Sequence, residues 1–134
     1  MKLANTIFFF VLIALFSSIT SVYAEGQKRA LIIAIGNYNK EVTGWNPISS
    51  ANDVPLVKDA LMSQGFKSED ISILVDEKAG CDAILQALDK LLADAQPNDV
   101  VLIHYSGHGQ QITDDNNEEI DNFDEAMVPF DAHS

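Results

Sequence analysis

Residues 99–111, DVVLIHYSGHGQQ, decide the fold. The apolar run from Val100 to Ile103 is rich in β-branched residues and reads as a buried strand, which stops at Ser106-Gly107-His108-Gly109. Glycines on both sides of His108 permit tight turns and leave the imidazole uncrowded at the strand's tip. In a parallel α/β sheet, ligands bind at that tip. Histidine is the side chain suited to moving protons near neutral pH. The plain alternative is a turn histidine in a Gly-rich loop.

Working outward, residues 28–36, KRALIIAIG, begin with charge and run into a continuous apolar segment, the pattern of a strand buried on both faces. Gly36-Asn37-Tyr38 turns the chain, and residues 39–49 read as a polar loop with Trp45 and Pro47. A helix over 51–64 follows, with Val54, Val57, Ala60 and Leu61 on one stripe and Gly65 to stop it. Its cap falls within Ser50 to Asn52. Ser50-Ala51-Asn52-Asp53 has the shape of a capping box, and Pro55 belongs in a first turn. A second strand spans 70–75 and a polar turn 76–80. Residues 81–95 carry Ile84, Leu85, Leu88, Leu91 and Leu92 at helical spacing, with Pro97 beyond.

The order β-α-β-α-β predicts an α/β fold, a three-layer sandwich around a parallel sheet. Crossovers are right-handed. With the third strand returning to the far side of the first, the strand order is 2-1-3 and a switch point opens between the first and third strands. Gly36-Asn37-Tyr38 and Gly107-His108-Gly109 sit at those strand ends, so the topology alone carries His108 into the crevice.

The chain has 134 residues, of which 1–24 read as a secretory leader. Lys2 is basic, residues 7–16 are apolar, and Val22-Tyr23-Ala24 is a small-x-small cleavage site. The expected location is therefore outside the cytoplasm, with membrane attachment only through an uncleaved leader, and with residues 25–134 forming one domain. Formal net charge is −12, and losing Lys2 makes it one unit more negative. Such a surface repels nucleic acid and anionic membranes and favours basic peptides or divalent metal. Cys81 is the only cysteine, so an internal disulfide and a Cys-x-x-Cys site are both excluded.

Residues 114–125, DDNNEEIDNFDE, form a dense carboxylate run that reads first as a solvated loop. Asp114 and Glu125 have the spacing of the first and twelfth EF-hand ligands, but the sixth position is Glu119 where that loop needs glycine. Hard oxygen donors at this density can bind Ca²⁺ in another geometry. No cofactor is required by the sequence.

The segment 105–111, YSGHGQQ, resembles the catalytic-histidine segment of caspase-like cysteine peptidases, specifically the metacaspase branch. Five segments match in order: Ile35-Gly36-Asn37-Tyr38, Asn52-Asp53, Ser106 to Gly109, the acidic run 114–125, and Pro129-Phe130-Asp131. The resemblance implies that His108 is a general acid/base working with a cysteine thiolate, and that the Gly109 N–H is an oxyanion donor. It also implies that Asp53 lines a pocket for a basic residue before the scissile bond, where the alternative is helix capping, and that Asp124 serves Ca²⁺. In that family the nucleophile sits in an Asp-x-Cys segment after a further strand, and no residue here matches it. The expectation is thus the amino-terminal part of a longer peptidase, completed by the remaining part of the peptidase domain, with the third strand left as an exposed apolar edge.

Other residues are weaker candidates. Cys81 opens a helix, where the dipole lowers a thiol pKa, but that helix follows the second strand, on the far side of the first from His108. His104 lies within a strand, and His133 in a terminus expected to fray. Ser106 lacks the Gly-x-Ser-x-Gly context of a hydrolase nucleophile. Two other readings stay open: an inactive caspase-like module that binds basic peptides, and a secreted Ca²⁺-binding acidic domain.

Overall fold

The computed structural model describes residues 26–116 and 118–133. The expected leader, 1–24, lies outside the described residues. Within them no helix is long and apolar enough to cross a membrane.

Strand β1 (Lys28–Ala34) is the centre of a three-stranded parallel sheet, flanked by β2 (Ile71–Val75) and β3 (Val100–Ser106) in the order β2-β1-β3. This is the expected order, and it follows from β1 being the one strand apolar on both faces. Residues 30–35 are fully buried. Leu31, Ile33 and Ile35 face helix α3 (Cys81–Asp94), packing with Ile84, Ala87, Leu88 and Leu91. Ala30 and Ile32 face helix α2 (Asp53–Ser63), packing with Val54, Val57, Leu61 and Phe66. Each buried Leu or Ile contributes about 1.5–3 kcal/mol, so a charge at Ile32 or Ile33 would break the fold.

The far ends of β1 and β3 are held together by Asp99. Its carboxylate accepts from the Gln27 amide at 2.7 Å, the Gln96 amide at 3.0 Å and Arg29 Nε at 3.0 Å. The Gln96 amide first, and then Arg29, hold the Asp99 carboxyl below the usual range.

Several expectations need correction. Val100–Ile103 is not a buried strand but the apolar edge expected of the third strand: Val100, Val101 and Ile103 are exposed, Ile103 at 52%. The predicted helical stripes are narrower than drawn. Ala60 is exposed on α2, and Leu85 and Leu92 are exposed on α3, Leu92 at 78%. The loop over 39–49 contains a one-turn helix, α1 (Lys40–Thr43). Asn39 caps it by accepting the Glu41 N–H, and Gly44, at φ 80°, ends it in the left-handed conformation.

The acidic run is not a plain loop either. Residues on its two flanks form an antiparallel hairpin, β4 (Gly109–Thr113) with β5 (Phe123–Met127). At its tip the Asp114 side chain accepts the Asn116 and Glu119 amides, each at 2.9 Å. The Pro-x-Asp segment that follows docks onto α3. Phe130 donates its N–H to Ala79 O, and Asp131 Oδ1 accepts the Cys81 N–H at 2.9 Å, so this aspartate caps α3 from fifty residues away.

Candidate active site

The carboxyl ends of β1 and β3 meet where the topology requires. The Ile35 N–H donates to Ser106 O at 2.8 Å, extending the β1–β3 ladder to the brink of the crevice. Beyond it, Gly36 N–H and Asn37 N–H both donate to Asp76 Oδ1 at 2.8 Å. Asp76 leaves β2 at φ 47°, a conformation aspartate tolerates better than most residues. Gly36 is needed for close approach, since a Cβ there would lie 2.5 Å from Ile48 O. The segment after α1 is thereby laid across the strand ends.

That segment builds one wall around His108. Trp45 N–H donates to Thr43 Oγ1, and the indole ring lies 5.1 Å from the imidazole at 32°. Tyr38 contacts the imidazole at 4.9 Å and 49°. His108 Nε2 lies 2.8 Å from Asn46 O. A carbonyl oxygen can only accept, so in the neutral ring Nε2 carries the proton and Nδ1 keeps the lone pair. The imidazole is held by two aromatic rings with its basic nitrogen defined.

The backbone of His108 is held as tightly. In the β4–β5 register, residue 108 pairs with Val128, and the Val128 N–H donates to His108 O at 3.0 Å. The reciprocal rung is opened by a hydroxyl. Tyr38 Oη accepts the His108 N–H at 3.3 Å and donates to Val128 O at 2.8 Å. Tyr105 Oη lies 2.6 Å from His108 O, 3.0 Å from Val128 O and 3.1 Å from the Val128 N–H. A phenol has one proton. Of its two carbonyl neighbours His108 O is the nearer, 2.6 Å against 3.0 Å for Val128 O, so the Tyr105 proton goes to His108 O. Burial, and then the neighbouring Tyr38 hydroxyl, raise the Tyr105 phenol well above its usual range, so it remains a donor.

Gly107 owes its identity to this pair. A Cβ there would fall 2.4 Å from Tyr105 Oη and 3.1 Å from Tyr38 Oη. Neither Gly107 nor Gly109 has positive φ. The expected tight glycine turns are therefore absent: Gly107 makes room for two hydroxyls, and Gly109 begins β4.

Asp53 is the first residue of α2, and it does not cap it. Residues Ser50–Asn52 form a 3-10 turn, and the Asn52 position makes no side-chain cap. The Asp53 carboxylate instead accepts Ser106 Oγ–H at 2.6 Å, across the crevice mouth from the end of β3. Asp53 is thus tied to Ser106, two residues before His108, by one hydrogen bond between the start of α2 and the end of β3.

Other candidates fall elsewhere. Cys81 is exposed at the start of α3, with its amide on Asp131, while the imidazole of His108 meets Tyr38, Trp45 and Asn46. Asp124 is half-buried on β5 opposite Ile112. Among the described residues no three His, Cys, Asp or Glu side chains are grouped so that they could hold a metal ion. His104 is half-buried, its Nε2 buried without a partner. His133 Nδ1 lies 3.2 Å from Val42 O.

Sequence reasoning missed Trp45, the Asn46 carbonyl and the two tyrosines. Tyr38 closes the first matched segment and Tyr105 opens the segment 105–111, which was a usable signal. A backbone carbonyl leaves none.

The pattern of the metacaspase peptidase C14 domain matches residues 28–134. The chain belongs to the metacaspase family. It is 36% identical over 115 residues to Metacaspase-1 of Schizosaccharomyces pombe and 38% identical over 118 residues to Metacaspase-1 of Lodderomyces elongisporus. Both alignments cover 80% of this chain and 26% of the relative, so the metacaspase sequence in hand spans about a quarter of the curated relatives it matches. Among solved structures, a protein from Geobacter sulfurreducens shares the fold with a TM-score of 0.64 at 23% identity, covering 81% of this chain and 41% of that one.

Proposed function

We propose that this metacaspase chain is the histidine-bearing part of an exported cysteine endopeptidase that cleaves after arginine or lysine. The observation that carries the reading is the Nε2 contact with Asn46 O, which makes Nδ1 the basic nitrogen. The thiol comes from a segment of the peptidase domain outside the described residues, since Cys81 has other neighbours.

Nδ1 takes the thiol proton, and the thiolate attacks the peptide carbonyl carbon. The C=O π electrons move onto oxygen, where the Gly109 N–H meets the charge. Collapse of the tetrahedral adduct breaks the C–N bond, and Nδ1–H protonates the departing amine, leaving a thioester. Water, deprotonated by Nδ1, then attacks the thioester, and Nδ1–H returns its proton to the sulfur as the new carboxyl product leaves. Throughout, Nε2–H stays on Asn46 O. Asp53, oriented by Ser106, supplies the negative charge for a basic side chain before the scissile bond. The overall charge of −12 favours basic substrates further.

The test uses the full-length protein and peptides ending in Arg, Lys or Gln before a reporter amide. Cleavage after Arg and Lys, abolished by His108→Ala and with the preference erased by Asp53→Ala, is expected. Cleavage unaffected by His108→Ala overturns the reading. That Cys81, the only thiol in this sequence, is not among the neighbours of the His108 imidazole favours a second reading, an acidic module that binds basic peptides without turnover. Intact peptide after prolonged incubation, with measurable binding, selects it.

A further inference from the structure

The peptide unit between His108 and Gly109 is trans, as are all those described. Its carbonyl and its N–H therefore point in opposite directions. The carbonyl is turned inward, onto the Tyr105 hydroxyl at 2.6 Å and the Val128 N–H at 3.0 Å. The Gly109 N–H must point outward. The hairpin register gives the same answer independently. Val128 N–H bonds to His108 O at one end and Asp114 N–H to Asn122 O at the other, so the bonded pairs are 108/128, 110/126, 112/124 and 114/122. By antiparallel alternation, residues 109, 111 and 113 present their backbone groups away from β5.

We infer that Tyr105 is a positioning residue for the oxyanion donor: its O–H, bonded to His108 C=O, orients and polarises the peptide unit whose other end is the Gly109 N–H. This rests on the peptidase reading, which supplies the oxyanion. Hydrogen bonds into a carbonyl draw charge through the amide and strengthen its N–H as a donor, by an estimated 10–30% per bond. The site is arranged to keep this contact. The Val128 N–H occupies the hydroxyl's lone pair, His108 O lies nearer the hydroxyl than Val128 O does, 2.6 Å against 3.0 Å, and residue 107 lacks the Cβ that would displace the phenol.

Tyr38 is the natural control. It lies in the same cluster and touches the same two residues, but it meets His108 N–H and Val128 O, not the carbonyl of the Gly109 peptide unit.

Two measurements on the full-length protein test the inference. In ¹⁵N NMR, hydrogen bonding to a carbonyl deshields the following amide nitrogen. Tyr105→Phe is expected to move the Gly109 resonance upfield, 3-fluorotyrosine at position 105, a stronger donor of nearly equal volume, to move it downfield, and Tyr38→Phe to leave it nearly in place. In kinetics, Tyr105→Phe is expected to lower kcat roughly 5- to 50-fold with KM within about twofold, less than the 10²–10³ lost when an oxyanion donor is removed outright. Equal displacement of Gly109 by Tyr38→Phe and Tyr105→Phe overturns the inference, because both then act only as packing. So does a kcat unchanged in Tyr105→Phe. If Tyr105→Phe does not fold, the fluorotyrosine arm decides on the sign of the shift. A wild-type enzyme that leaves every peptide intact removes the peptidase reading itself, whichever way the resonance moves.

Discussion

Replacing Asp76 by alanine should unfold the crevice before it touches the sheet. One carboxylate oxygen accepts both Gly36 N–H and Asn37 N–H at 2.8 Å, and it ties the end of β2 to the turn that carries Tyr38. A hydrogen bond to a charged group is worth about 1.5–3 kcal/mol, and two sharing one oxygen fall short of twice that. Alanine at φ 47° adds about 1 kcal/mol of backbone strain. The sum is roughly 3–5 kcal/mol, a large part of the ~5–15 kcal/mol that holds a domain together. Asp76→Asn keeps the accepting oxygen and tolerates the left-handed conformation, so it should lose no more than about 1.5 kcal/mol. Asp76→Gly removes the hydrogen bonds without the strain and should fall between the two. The assay is urea unfolding of the full-length protein, following Trp45 fluorescence. A loss below about 1 kcal/mol for Asp76→Ala, or equal losses for all three variants, would refute the reasoning.

Three further outcomes follow from single contacts. The Tyr105 phenol is raised in the folded state, so its contribution is complete below the ordinary tyrosine value of about 10 and is lost as pH climbs through the higher folded one; Tyr105→Phe should flatten this alkaline loss in unfolding measured from pH 9 to 12. Asp131→Ala removes the cap on the Cys81 N–H and should cost about 1 kcal/mol by thermal unfolding, with the loss traced to α3 by faster amide exchange at residues 81–84. Gly107→Ala drives a methyl to within 2.4 Å of Tyr105 Oη and should cost about 1–3 kcal/mol while abolishing cleavage; full activity would contradict the clamp.

The sheet was legible because β1 is unlike any other segment. Six consecutive residues from Ala30 to Ile35 are fully buried, and only a central strand with a helix on each face needs such a run. The 2-1-3 order was an assumption about where the third strand returns, and given that order the hand of the crossovers put His108 at the switch point. The edge character of Val101 and Ile103 was not visible in local composition, because a buried strand and an apolar edge strand are written in the same residues. The hairpin hid for a different cause. Gln110, Gln111, Asp124 and Glu125 have no strong strand preference, and the pair is held at its base by Val128 against two tyrosines from elsewhere in the chain. Within the site, the side chains His108 and Asp53 could be singled out from the sequence. The carbonyl of Asn46 that meets the imidazole could not, because a backbone group carries no identity to read, and the bond from the Ser106 hydroxyl to Asp53 depends on how the end of β3 meets the start of α2.

The account stands on the protonation pattern of one ring. Selective ¹⁵N labelling of histidine in the full-length protein, recorded where the His108 imidazole is neutral, reports directly which nitrogen bears hydrogen. The structure predicts a protonated Nε2 held on the Asn46 carbonyl and an unprotonated Nδ1 that shifts when a thiol-directed peptide aldehyde is added. A resonance pattern with the proton on Nδ1 would leave no base for the thiol and would contradict the proposed chemistry.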